Sequence, residues 1–366
     1  MSEQTKLCIA CKSTLHREAA ICPQCQSTQE ANLWALIGKA LKWAGGITAI
    51  LTLIITVAHV NNLFFEYQRK QDAISRLVLA GNMQREHGDY QASLASYHKA
   101  LELDPGHRAA QREQIGLSMV WLRNIRIVGR QTFTGIANQL APILYLGAIS
   151  SDKNEAADAL AHLGWAAYLR YREAHFNASQ VDVLFEKALN LDDQNTYAHA
   201  MKGFWLLFSN RELTEAQKSF KKALASGQHR SFVRGLQLSA LLSKHSSDFT
   251  REMLRVVNTM RVNKEPFPSE KYRKDVLRIY QSSYHSSEKL SQLISFLPPK
   301  EHLAVFLYLT GPNPKSQVQR YVLGHLFETV NNKTEAYKIY TSLLAKAPEQ
   351  YKSTIQREAA RALARL

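Results

Sequence analysis

Two stretches of this 366-residue chain, lying far apart in the sequence, carry the same four landmarks at the same intervals. Gly81, Tyr97, Ala100 and Pro105 fall 16, 19 and 24 residues from the glycine, and Gly324, Tyr340, Leu343 and Pro348 repeat those offsets. This spacing predicts a helix-turn-helix unit of about 34 residues. The glycine lets two helices approach closely, Gly88-Asp89 turns the chain, Tyr97 and Ala100 pack the second helix, and Pro105 ends the unit. Looser units follow the same plan at 162–195, with Trp165 and Phe185, and at 196–229, with Gly203, Ala216, Phe220 and Ala223. One such unit cannot bury its apolar face alone, so the pattern demands stacking.

The units at 74–107, 162–195, 196–229 and 317–350 resemble tetratricopeptide repeats. The resemblance implies an all-α fold, a helical solenoid over residues 70–366 whose groove takes up a segment of a protein partner. Segments 108–158 and 230–310 keep helical apolar spacing, as in Ile115, Met119, Leu122 and Ile125, and read as degenerate helix pairs continuing the array. Breaks are expected at Pro266 and Pro268, at Pro298-Pro299 and at 311–314, and 352–366 reads as a capping helix. Aromatics at the repeat offsets are packing residues.

All four cysteines lie within the first 25 residues, as Cys8-Ile9-Ala10-Cys11 and Cys22-Pro23-Gln24-Cys25. Two CxxC turns aim four thiolates at one point and complete a tetrahedral zinc site with no position left for water, so one structural zinc is expected. Disulfides in an oxidising compartment, or a redox pair, are the other uses of such cysteines. Residues 1–28 hold few large apolar side chains, so metal binding has to supply the folding free energy of a domain at 1–30. The segment resembles the short zinc ribbons, with Gln26 where that family's second knuckle has glycine.

From Trp43 to Phe65 no residue is charged. A helix of that length matches a bilayer's hydrocarbon core, so 43–65 is expected to be a transmembrane helix and retained signal anchor. Trp34 and Trp43 before it, and Phe64, Phe65 and Tyr67 at its far end, suit interfacial belts. Lys39 and Lys42 among Leu33, Leu36, Ile37 and Leu41 make 31–42 an amphipathic juxtamembrane segment resting on membrane lipid. A thiolate site wants a reducing compartment. A single-pass protein with the ribbon in the cytoplasm and the solenoid outside is therefore expected, an order similar to bacterial inner-membrane envelope proteins with a cytoplasmic ribbon.

The formal charge is +15, from 46 Lys and Arg against 31 Asp and Glu. Arg108, Arg112, Arg123, Arg126 and Arg130 form one dense group, and the basic residues from Arg251 to Arg278 form another. Such groups fit an anionic partner, or a solvated face whose acids sit elsewhere in the fold. No HExxH, GxSxG or GxxxxGK[ST] motif occurs, and Asp192-Asp193 reads as a helix cap, so no catalysis is expected. Two functions remain: an envelope scaffold that binds a protein partner, and a tethered regulator whose ribbon and basic surface address nucleic acid in the cytosol.

Overall fold

The computed structural model describes residues 5–27, 29, 33–125, 132–175, 178–209, 212–244, 246–283, 287–345 and 353–366, the side chains at 33–51 and 287 lying outside that description. Two short strands, β1 (Thr5–Leu7) and β2 (Thr14–His16), pair antiparallel with Lys6 opposite Leu15. Among the described residues the other regular elements are helices. The order is α1 (Leu33–Glu86), α2 (Tyr90–Leu103), α3 (Arg108–Arg123), α4 (Phe133–Ala148), α5 (Lys153–Ala174), α6 (Ser179–Leu191), α7 (Thr196–Ser209) and α8 (Leu213–Ala225). It continues through α9 (Arg230–Leu242), α10 (Ser247–Val262), α11 (Glu270–Ser283), α12 (Ser287–Ile294), α13 (Pro299–Thr310), α14 (Gln317–Thr329), α15 (Lys333–Leu344) and α16 (Thr354–Leu363). The chain divides into two compact units, one of Met1–Ala80 with Lys99–Pro105, the other of Gly81–His98 with Gly106–Leu366.

In the second unit the helices form two rows. α3, α5, α7, α9, α11 and α14 pack each on the next, and α4, α6, α8, α10, α13 and α15 lie against them as an outer row. The expected breaks fall where proline or a cap forces them. Asp152 accepts from the amides of Asn154 and Glu155 to start α5, and Pro299 opens α13 at its first position. Because Pro298 and Pro299 stop the chain early, the eight-residue α12 is inserted between α11 and α13, and α13 takes the outer-row place beside α10. α5 and α6 begin and end at Lys153 and Leu191, so the helix pair starts nine residues before His162, where its sequence landmarks begin.

The glycines sit where two helices meet. A Cβ on Gly81 would stand 2.5 Å from the Tyr97 ring, one on Gly324 2.6 Å from Tyr340, and one on Gly164 2.7 Å from Phe185. Each of these rings is fully buried. The aromatic therefore occupies the volume of the missing methyl group, and the partner side chain cannot retreat because it is packed on its other faces.

The single-pass expectation is overturned. Among the described residues no helix is long and apolar enough to cross a membrane. Described side chains begin at Thr52, and Thr52 to Phe65 spans about 21 Å of helix against roughly 30 Å of hydrocarbon. His59, Asn61 and Asn62 interrupt that stretch, and Glu66, Arg69 and Lys70 follow within the same helix α1. The side chains of the amphipathic segment 31–42 and of the first part of 43–65 lie outside the described residues. The signal-anchor role, membrane lipid as a partner, and the division between a cytoplasmic ribbon and an external solenoid fall with the span.

Replacing Gly324 with Ala should destabilise the protein by about 1–3 kcal/mol through overpacking against Tyr340. Gly116→Ala, where an added Cβ meets nothing within 4 Å, should be neutral or stabilising by about 0.5–1 kcal/mol. Urea unfolding of the two variants measures the contrast, and equal midpoints would contradict the packing role.

Candidate metal centre and inner-row cleft

The two CxxC turns have the same backbone. Cys8 N–H donates to the Ser13 carbonyl at 2.7 Å and Lys12 N–H to the Cys8 carbonyl at 3.0 Å; Cys22 N–H donates to Ser27 at 2.9 Å and Gln26 N–H to Cys22 at 2.8 Å. The residue after each second cysteine is left-handed, Lys12 at φ +60° and Gln26 at φ +56°. This explains the glycine preference at that place in ribbons, and Gln26 adopts the conformation without one at a modest cost.

All four expected ligands come together. The Sγ atoms of Cys8, Cys11, Cys22 and Cys25 lie within 4.8 Å of one another, with Cys8 and Cys25 at 3.5 Å and Cys11 and Cys22 at 3.6 Å. A tetrahedron with metal–sulfur bonds of about 2.3 Å has edges of about 3.8 Å, so the donor set is spaced to hold a metal ion. No disulfide joins the four cysteines in this structure. Beyond these sulfurs the apolar core of the ribbon is Leu15 with Ala19 packed against it, as expected of a fold short of apolar side chains.

Two serines complete the symmetry. Ser13 Oγ lies 3.0 Å from Cys11 Sγ and 3.4 Å from Cys22 Sγ, while Ser27 Oγ lies 3.0 Å from Cys25 Sγ and 3.4 Å from Cys8 Sγ. The Ser27 hydroxyl is the main reason the Cys8 thiol is lowered to about 5, and the Ser13 hydroxyl likewise lowers Cys22. Gln29, buried, donates through Nε2 to Cys8 Sγ at 3.2 Å and accepts from Ile9 N–H at 2.9 Å. The serines and Gln29 escaped the sequence reading, although Ser13 and Ser27 each follow their second cysteine by two positions.

The second site lies along the inner row, where successive helices each add one rung. Arg123 at the end of α3 donates to His162 Nε2 on α5 at 3.1 Å and stands 4.6 Å over the Tyr197 ring on α7. Tyr197 shares a hydrogen bond of 3.0 Å with His229, stacks on it at 4.7 Å, and meets Phe232 of α9 edge-on at 5.5 Å. Beyond them Arg234, buried, holds Glu265 through bonds of 2.8 and 3.2 Å, and Arg230 adds a third at 3.0 Å. Burial pushes the Glu265 carboxyl up, but hydrogen bonds from Arg234 and Asn263 outweigh it and hold the group below the ordinary carboxylate range. An open cleft of about 590 Å³ is walled by Arg123, His229, Arg230, Phe232 and Tyr272.

The structure sorts the basic groups differently from the sequence. Arg112 approaches Glu155 at 3.6 Å and Arg123 belongs to the ladder; Arg126 and Arg130 lie outside the described residues. In the second group Arg251 pairs with Asp248, Arg255 with Glu252, and Arg273 with Glu270, each one helical turn away. Asp192 is the C-cap residue of α6 and its Oδ1 accepts from Gln194 N–H at 3.0 Å in the turn before α7, an amide of whose first turn donates to Asn195 Oδ1. Tyr280 is buried, whereas Tyr272 is half-exposed at the cleft. The ladder went unread because its residues differ from helix to helix, though His162, Tyr197 and Phe232 recur at intervals of 35, as 197 − 162 and 232 − 197.

The fold is thus an all-α solenoid of the tetratricopeptide type preceded by a four-cysteine module. Comparison with family profiles matches residues 75–107 to the tetratricopeptide repeat. No curated protein matches the chain. Among solved structures, a monomeric mutant of IFIT1 with Gppp-AAAA is similar at 13% identity, covering 78% of this chain and 71% of that one with a TM-score of 0.32. Yeast Tom70 is similar at 11% identity, covering 83% and 93% with a TM-score of 0.22. Likeness at that level carries no argument about function.

His162 gives the ladder a pH signature. Its Nδ1–H donates to the Asp158 carbonyl at 2.6 Å and its Nε2 accepts from Arg123, so the ring is neutral; burial first, then the guanidinium, lowers its pKa from 6.5 to about 3. The unfolded chain takes up a proton near pH 6.5 that the folded chain refuses, so this contribution is complete above that pH and is lost as pH falls from about 6.5 towards 3. Stability should drop over that range by about 1.4 kcal/mol per pH unit for this group. Urea unfolding at pH 7, 6 and 5 should show a shallower dependence for His162→Gln, and an unchanged slope would refute the assignment.

Proposed function

We propose that this protein is a non-catalytic scaffold whose inner helix row docks a segment of a protein partner, and whose ribbon holds one structural zinc. The observation that carries the reading is the cleft at Arg123, His229, Phe232 and Tyr272. Aromatic rings, a guanidinium and hydrogen-bonding edges converge there from three inner helices, α3, α9 and α11. Aromatic and arginine groups are the side chains on which docking energy concentrates. Stacked repeats expose such a row to one side of the array, where helices or extended segments bind. The zinc would stiffen a module with almost no apolar core, and a closed sulfur set offers it no catalytic position.

Photo-crosslinking in cells distinguishes docking from a bare surface. A benzophenone side chain at Phe232 of the full chain should yield a discrete protein adduct, and the same group at the exposed Lys218 of the outer helix α8 should not. Tyr272→Ala in the Phe232-labelled chain should cut the adduct by about tenfold, the loss of a docking anchor. Equal labelling from both positions, or a nucleic-acid adduct at Phe232, would overturn the reading.

For the ribbon, purified protein should contain one zinc per chain by elemental analysis. Cys8→Ser should release it, and hydrogen exchange across residues 5–29 should then rise to that of an unfolded segment. A metal-free chain that stays protected there would refute the metal role.

A further inference from the structure

A larger cavity, about 1190 Å³, opens beside the cleft between the second half of α9, the start of α10, one face of α11, and α12. Tyr272 lines both spaces, but the chemistry changes. Lys271, Lys274 and Arg278 lie one turn apart along α11 and face this cavity, joined by Lys244 and Lys289 from its other walls. Two acids line it, Glu270 and Asp275, so the formal excess is 5 − 2 = +3. Both acids are engaged: Glu270 receives two bonds from Arg273 at 2.5 and 2.8 Å, and Asp275 lies between Lys271 at 3.2 Å and Arg278 at 3.0 Å. The basic surplus of the sequence thus divides. Arg251, Arg255 and Arg273 each have an acid one turn away, while Lys271 and Arg278 share the single Asp275 and Lys274 adds a third α11 cation to an open volume lined also by cations from two other segments.

The rest of the lining narrows what fits. Hydroxyls of Ser239, Ser246, Ser247, Thr250 and Ser282 surround the cations, and Leu242, Met253, Ile279, Leu293 and Phe296 form an apolar wall. An excess of +3 in one cavity calls for several negative charges close together, more than one carboxylate brings. Ammonium groups act as point charges on phosphate, and hydroxyls donate to its many oxygens. Inorganic phosphate alone would leave the apolar wall wet. At about 1190 Å³ the volume lies somewhat above the range of ligand clefts, about 300–1,000 Å³, so a ligand of nucleotide size would fill part of it.

We propose that this cavity binds an organic phosphate of nucleotide size, with its phosphates among Lys244, Lys274 and Arg278 and its body against the Met253–Phe296 wall. The site is independent of the partner cleft and stands or falls without it.

Isothermal titration of the full chain with ATP, sodium tripolyphosphate and sodium sulfate, at matched ionic strength, tests the assignment. ATP should saturate one site and bind about tenfold tighter than tripolyphosphate, while sulfate should give no saturable heat. Lys274→Ser and Arg278→Ser replace exposed side chains, so the ligand-free thermal midpoint should stay unchanged while ATP affinity falls about threefold to tenfold in each. Lys221→Ser, an exposed lysine of α8, should bind as the parent does. Absence of saturation, equal affinity for tripolyphosphate and ATP, or unaltered binding in the two α11 variants would each overturn the proposal.

Discussion

The array depends on one steric bargain repeated along the chain: a helix gives up a Cβ so that a ring from the next helix can lie against its backbone. Gly81 with Tyr97, Gly164 with Phe185 and Gly324 with Tyr340 are instances with almost no slack. Gly203 with Phe220 is a looser one, at 3.1 Å. Close approach fixes the separation within each pair, and the separation within pairs fixes where the next inner helix can lie. The inner row inherits its regular spacing from contacts made between the rows.

That regular spacing lets single side chains from distant parts of the sequence meet. Arg123, His162, Tyr197 and Phe232 come from four helices, yet each touches the next because the helices are held in step. Arg123 lies partly buried against a neutral imidazole and an aromatic face, an arrangement that stacks a cation without a direct acid partner in the ladder. Asp158 is nearby but is bonded to Asn195 at 2.7 Å, and burial raises its pKa. Arg123 thus lies against rings rather than against an acid at contact distance, whereas Arg230 and Arg234 further along the row are paired with Glu265.

Much of the architecture was legible because it rests on spacing. The offsets from Gly81 and Gly324 identify the helix pairs, the prolines at 266, 268, 298 and 299 mark real breaks, and the four cysteines do converge. What escaped depends on surroundings that spacing does not encode. The insertion of α12 follows from where α13 finds room beside α10. The basic excess from 251 to 278 was counted along the chain, but its meaning turns on which residues share a helix face: Arg273 points to Glu270 and the Leu309 carbonyl, while Lys274, its neighbour, faces a cavity. The uncharged run after Lys42 shows the opposite error, since a count of missing charges predicted a span where, among the described residues, no helix is long and apolar enough to cross a membrane.

The serine arrangement in the ribbon bears on how that module is taken apart. Each hydroxyl reaches sulfurs of both turns, Ser13 those of Cys11 and Cys22, Ser27 those of Cys25 and Cys8. Neither half can therefore open while the other keeps its bonds intact. Opening either turn strips a hydroxyl contact from a sulfur of the other, so the two turns are tied to one another beyond the ion they would share.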